Sequence, residues 1–153
     1  MSTKASSLVG AAKNWATSYS SFTNGPKAAV LSVSLRFRAE WENNDAEAFA
    51  DIFTENGSIL VADEQLTGRE EIREYFRKAF SGVYRGARVT EEPLEIRFLS
   101  PEKDVALAIT QGGTVLDGET DLPADRESRT TWVIVKQLGE WKLLSRQSSP
   151  LAS

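Results

Sequence analysis

The apolar pattern of this chain changes period once, near residue 83, and that change constrains the fold more than any other feature. Before it, apolar side chains recur three and four residues apart, as on one face of a helix; after it they alternate, as on a strand. From Lys27 to Asn43, Val30, Leu31, Leu35, Phe37 and Trp41 mark a long amphipathic helix, with Pro26 suited to its first turn. Asn44-Asp45 interrupts it, and Asp45 is a good N-cap for a short second helix, Ala46 to Phe53, with Phe49, Ile52 and Phe53 inward. Asn56-Gly57 is a turn, and Ser58 to Ala62 reads as a strand. Thr67-x-x-Glu70 matches a capping box before a third helix, whose buried stripe is Ile72, Tyr75, Phe76, Ala79 and Phe80.

Beyond residue 83, Leu94, Ile96 and Phe98 alternate, as do Val105, Leu107 and Ile109. Thr130 to Val135 is β-branched and aromatic, Leu138-Gly139 is a tight turn, and Trp141 to Gln147 is the last strand. Gly118 to Asp125 is a polar loop. The order of elements predicts an α+β domain, three helices packed on a mostly antiparallel sheet. Residues 1–25, rich in Ser, Thr, Ala and Asn, form an N-terminal arm: either a flexible tail or an edge folded back through Trp15, Tyr19 and Phe22. Residues 26–149 are the single domain and 150–153 a tail. With 153 residues, the chain buries about two-thirds of its unfolded surface.

Composition limits the chemistry. There is no Cys and no His. Disulfides, thiol nucleophiles, Ser-His-Asp devices and the usual zinc, copper or iron ligands are excluded, and no metal or other cofactor is assigned. The balance of 18 basic and 22 acidic side chains argues against nucleic acid, which needs a basic stripe. No apolar run approaches the length of a membrane span, and the patch Leu8 to Ala12 is too short for a signal peptide, so the expected location is cytoplasmic.

A two-residue turn at Leu138-Gly139 pairs Trp132 with Ser145, Ile134 with Leu143 and Thr130 with Gln147 on one face. Thr131, Val133, Val135, Lys142, Leu144 and Arg146 then share the other. Both faces carry apolar residues, which predicts helices on one and a second copy of the chain on the other. An extra residue would flip the parity of one strand.

The segments Trp41-x-Asn43-Asn44-Asp45, Phe49-x-x-x-Phe53-x-x-Asn56-Gly57, Gly68-Arg69-Glu70-x-Ile72-x-x-Tyr75-Phe76 and Gly139-x-Trp141-Lys142-Leu143 resemble the nuclear transport factor 2-like superfamily. More narrowly the chain resembles its SnoaL-like and SgcJ/EcaC groups, the latter known from enediyne biosynthetic clusters. The likeness spans roughly residues 27–149. It implies a cystatin-like cone, a curved sheet wrapped around helices with a deep pocket, and a homodimer through the outer sheet face. The ketosteroid isomerases of this superfamily carry a catalytic Asp at the position of Val61 and an oxyanion Tyr at that of Phe37, and neither replacement supports that chemistry. Relatives often carry His where Ser145 and Gln147 stand.

Pocket candidates under this fold are Phe37, Trp41, Phe53, Val61, Phe80, Gln111, Thr130, Trp132, Ser145 and Gln147. The aromatic ones divide between core and a wall for a flat apolar ligand. Gln147 is equally well a structural hydrogen-bonding group. Candidate catalytic groups are Asp63, two residues beyond Val61 and otherwise an ordinary turn residue, and the hydroxyl of Tyr75. The expected role is a small-molecule pocket protein of enediyne or polyketide biosynthesis. It binds a hydrophobic intermediate and assists cyclisation or a related step without a cofactor. The alternative is a non-catalytic binder or an accessory of polyketide synthase-associated proteins.

Overall fold

The computed structural model describes residues 25–151. The expectations for the N-terminal arm, including Trp15, Tyr19 and Phe22, lie outside the described residues.

Helix α1 is Pro26–Glu42 and α2 is Ala46–Ala50. Between them Asn44 takes φ 54° and Asp45 caps α2, accepting from the Ala48 N–H at 3.0 Å. Helix α2 is shorter than its sequence pattern: Phe53 begins strand β1, Phe53–Val61. A two-residue turn, Ala62-Asp63, leads to β2, Glu64–Thr67, a strand the alternation did not mark. Helix α3 is Arg69–Ser81. The expected capping box does not form. Thr67 ends β2, and Gly68, at φ 95°, occupies the N-cap without a side-chain bond. Arg69 instead ties α3 to β1, its Nε and Nη2 donating to the Phe53 carbonyl at 3.2 and 2.5 Å.

Strands β3 (Arg88–Phe98), β4 (Val105–Val115), β5 (Ser128–Gln137) and β6 (Glu140–Pro150) form the meander, each longer than its apolar core. The six-stranded sheet has the order β2-β1-β6-β5-β4-β3, antiparallel except where β1 pairs with β6. This is the α+β arrangement expected from the pattern, with the cystatin-like fold that the resemblance implied. Val89, Ile96, Ala106, Ala108, Trp132, Ile134, Leu143 and Ile59 turn one sheet face toward Val30, Phe37, Phe49 and Phe76 of the helices. The other face presents half-exposed Leu107, Ile109, Thr131 and Val133. Among the described residues no helix is long and apolar enough to cross a membrane.

Two bulges break the expected alternation. In β3 the register shifts between Pro93 and Glu95, which pushes Leu94 out to 42% exposure while Ile96 stays buried. In β6 the Leu138-Gly139 turn has two residues, and Ile134 opposes Leu143 as expected. The register then shifts, so that Val133 opposes Ser145, Trp132 opposes Arg146 and Thr130 opposes Ser148. Leu144 is the extra residue. Beyond it the faces of β6 exchange: Arg146 turns inward, and Ser145 and Gln147 turn outward.

Candidate functional site

The Leu144 bulge brings an arginine into an aromatic interior. Arg146 is 8% exposed. Its guanidinium carbon lies 4.5 Å from the Phe37 ring centroid and 4.9 Å from that of Trp132, close enough for cation–π attraction to both. Nη2 donates to Oε2 of Glu91, itself 7% exposed on β3. The other carboxylate oxygen of Glu91 accepts from Thr110 Oγ1 at 2.9 Å, and that hydroxyl accepts from Trp132 Nε1 at 3.0 Å. One connected chain, Trp132–Thr110–Glu91–Arg146, thus crosses the inner face of four strands. These hydrogen bonds, with the two aromatic faces, offset the cost of holding a charge pair in a low-dielectric interior. Arg38 of α1 adds a second guanidinium nearby. Burial lowers its pKa, opposed by the carboxylates of Glu42 and Glu91.

The ion pair forms the floor of a cavity of about 590 Å³. Trp41, Val61 and Tyr84 supply one wall, and Thr130 and Ser148 another. The hydroxyls of Thr130 and Ser148 are 2.8 Å apart. Exposed Asp63 and Asp125 and half-buried Arg126 stand at the rim, with Arg126 ion-paired to Glu119. Tyr84 is set by Asn44, whose Nδ2 donates to the carbonyls of Trp41 and Tyr84, both at 3.0 Å. Burial pushes the Tyr84 hydroxyl above the ordinary phenol range, reinforced by Tyr75. It stays a protonated donor at neutral pH.

The sequence candidates distribute unevenly around this cavity. Trp41, Val61, Thr130 and Asp63 line it. Phe37 and Trp132 lie beneath the guanidinium, and Phe53 and Phe80 belong to the core. Tyr75 lies outside, in a separate depression with Lys78 and Val83. Gln111 faces away, bonded to Glu127 and Arg129, both at 2.8 Å. Ser145 and Gln147 are corrected to the outer face by the bulge, where Ser145 meets Ser58 at 2.9 Å and Gln147 donates to Ser145 at 3.4 Å. The sequence reading missed Glu91, Arg146, Ser148 and Tyr84. Glu91 had a readable signal, since it continues the inward phase of Val89. Among the described residues no three acidic side chains gather as a metal site requires.

A family model, the SnoaL-like domain, matches residues 30–153. The chain belongs to the SnoaL-like family. Its cystatin-like fold is shared with solved structures. A domain of unknown function from Nostoc punctiforme is 24% identical, with a TM-score of 0.73 over 84% of this chain and 78% of that one. A scytalone dehydratase-like protein of Novosphingobium aromaticivorans is 17% identical, with a TM-score of 0.67 over 82% and 83%. A calcium/calmodulin-dependent protein kinase II association-domain-like protein of Xanthomonas campestris is 20% identical, with a TM-score of 0.68 over 86% and 91%. No curated protein matches. At these identities the SnoaL-like chain shares a fold with its neighbours, and its chemistry has to be argued from its own cavity.

Proposed function

We propose that this SnoaL-like protein is a cytoplasmic pocket protein of natural-product biosynthesis. It binds a hydrophobic intermediate of polyketide or enediyne type and assists a cofactor-free cyclisation or related step. The observation that carries this reading is the cavity of about 590 Å³, walled by Trp41 and Tyr84 and floored by the Glu91–Arg146 pair. Its size lies within the range of small-molecule sites, and its mix of an aromatic wall with few convergent polar groups is typical of them. A buried ion pair adds little to stability over an apolar pair of equal volume, so its presence in a cavity favours a role toward a ligand.

With Val61 and Phe37 at the positions of the isomerase groups, polar work falls to Glu91, Arg146, Tyr84 and the Thr130–Ser148 hydroxyls. Arg146 and Tyr84 supply donors to a developing negative charge, while Glu91 holds Arg146 in place. Both oxygens of Glu91 are already bonded, which favours the second reading, a non-catalytic binder or synthase accessory with the same pocket. We also infer that a second copy covers the half-exposed apolar outer face.

Incubating the purified protein with aromatic polyketide intermediates, with binding read by tryptophan fluorescence and turnover by chromatography, tests the first reading. Saturable binding with accelerated ring closure supports it. Binding without turnover leaves the carrier reading, and a folded protein that binds no apolar metabolite overturns both.

A further inference from the structure

From the donors of the cavity floor we infer that the ligand class is neutral aromatic carbonyl compounds, the carbonyl oxygen accepting a hydrogen bond from Nη1 of Arg146. This rests on the pocket reading above and narrows it.

The guanidinium of Arg146 has three nitrogens in different situations. Nε is sealed from solvent without a partner. Nη2 is committed to Glu91. Nη1 is neither sealed nor bonded among the described residues, and Arg146 lines the cavity. The rings of Phe37 and Trp132, within 5 Å of the guanidinium carbon, hold its position, so the free edge is a preorganised donor rather than a swinging one. A donor held in a largely desolvated floor is strongest toward an oxygen acceptor.

Charge decides which acceptor. The positive charge of Arg146 is already balanced by Glu91, that of Arg126 by Glu119, and that of Arg38, behind the floor, faces the carboxylates of Glu42 and Glu91. The carboxylates of Asp63, Glu91 and Asp125 outnumber the two guanidiniums along the cavity lining. A carboxylate ligand would therefore enter as an uncompensated charge against a negative rim. A ketone, ester or quinone oxygen takes the Nη1 hydrogen bond without that penalty. The Trp41 and Tyr84 rings, 4.8 Å apart between centroids, offer its ring system an apolar wall.

The test uses three naphthalene probes of nearly one shape: 2-acetylnaphthalene, 2-isopropenylnaphthalene and 2-naphthoate. Binding is read by tryptophan fluorescence in the wild-type chain and in Arg146→Lys. Lysine keeps a charge for Glu91 and loses the second nitrogen. The wild type is expected to bind the ketone at least about tenfold more tightly than the carboxylate, as a hydrogen bond to a charged donor allows. Arg146→Lys is expected to lower the ketone-to-alkene affinity ratio about tenfold while leaving the alkene bound. A carboxylate bound more tightly than the ketone overturns the inference, whether or not the variant folds. So does a ketone-to-alkene ratio unchanged in a folded Arg146→Lys. In both cases the bound alkene leaves the pocket reading standing. A folded wild type that binds none of the three overturns the inference and the pocket reading together.

Discussion

Arg146 on β6 donates to Glu91 on β3 across two intervening strands, joining residues 55 apart in sequence. The pair depends on Thr110 of β4 and Trp132 of β5, which complete the hydrogen bonds beneath it. Removing one member strands a buried charge. Arg146→Met is expected to destabilise the fold by about 3–5 kcal/mol, whereas the double variant Glu91→Leu/Arg146→Met recovers most of that loss. Urea midpoints of the two singles and the double measure it. A double variant as unstable as the sum of its singles would show that the two residues act independently.

The β6 bulge decides which of two adjacent residues faces the cavity. Ser148 lines the cavity beside Thr130, and Gln147 lies on the opposite sheet face. Ser148→Phe is expected to fill the cavity and abolish binding of 2-acetylnaphthalene. Gln147→Phe is expected to change affinity by no more than about twofold. Fluorescence titration of both variants, each checked for folding by circular dichroism, separates the observed register from the unbulged one, which assigns the two residues the reverse roles.

Much of this was legible. The change of period near residue 83 encodes helices followed by a meander, because 3.6- and 2-residue repeats cannot be exchanged without exposing the core. Trp41 followed from the aromatic stripe of the first helix, Val61 from family position and Thr130 from being a polar residue in an apolar strand, and all three reach the cavity. The floor was harder. A strand of Trp141-Lys142-Leu143-Leu144-Ser145-Arg146-Gln147 keeps an apolar residue available in either phase, so no apolar pattern marks Leu144 as the extra one. One inserted residue then moved Arg146 from the outer face to the interior and Gln147 out of it. Glu91 was legible in phase but lay before the strand start that Leu94 suggested, and Leu94 is itself displaced by a bulge. The Thr67 capping box failed because pairing of Thr67 with Ser58 in the β1–β2 hairpin claims the residue first.

Gly112 of β4 pairs with Glu91 of β3 and leaves no room for a side chain against the β3 backbone. A Cβ there would lie 1.9 Å from the Thr90 carbonyl oxygen and 2.7 Å from Glu91 Cα. No side-chain rearrangement relieves a clash with backbone. Gly112→Ala is expected to cost about 3 kcal/mol and to displace Glu91 from Arg146. Thermal unfolding reads the first effect. Weakened probe binding in the folded fraction reads the second. A variant of unchanged stability would mean that the strands are farther apart in solution.

Asn44 holds the junction that positions the aromatic wall. It bonds the carbonyls of Trp41 and Tyr84, and its Oδ1 accepts from the Gly86 N–H at 3.2 Å, all at φ 54°. Two losses are separable. Asn44→Ala gives up the bonds and adds left-handed strain, for an expected cost of about 3 kcal/mol. Asn44→Gly gives up only the bonds and is expected to recover about 1 kcal/mol. Equal urea midpoints for the two variants would rule out backbone strain as a contributor.

The outer face tests the inferred second copy. Leu107, Val133 and Ser145 lie abreast on β4, β5 and β6, with Ile109, Thr131 and Gln147 beside them. Each is partly exposed in the single chain. A glutamate at the centre of this patch adds charge where a partner would have to desolvate it, and touches none of the cavity residues. Val133→Glu is expected to turn a dimer into a monomer in sedimentation, with the circular dichroism of the wild type and probe affinity within about twofold. Wild type sedimenting as a monomer at high micromolar concentration would leave the outer face uncovered and remove the dimer from the reading. The cavity would be unaffected, since Glu91, Arg146, Trp41 and Tyr84 all come from one chain.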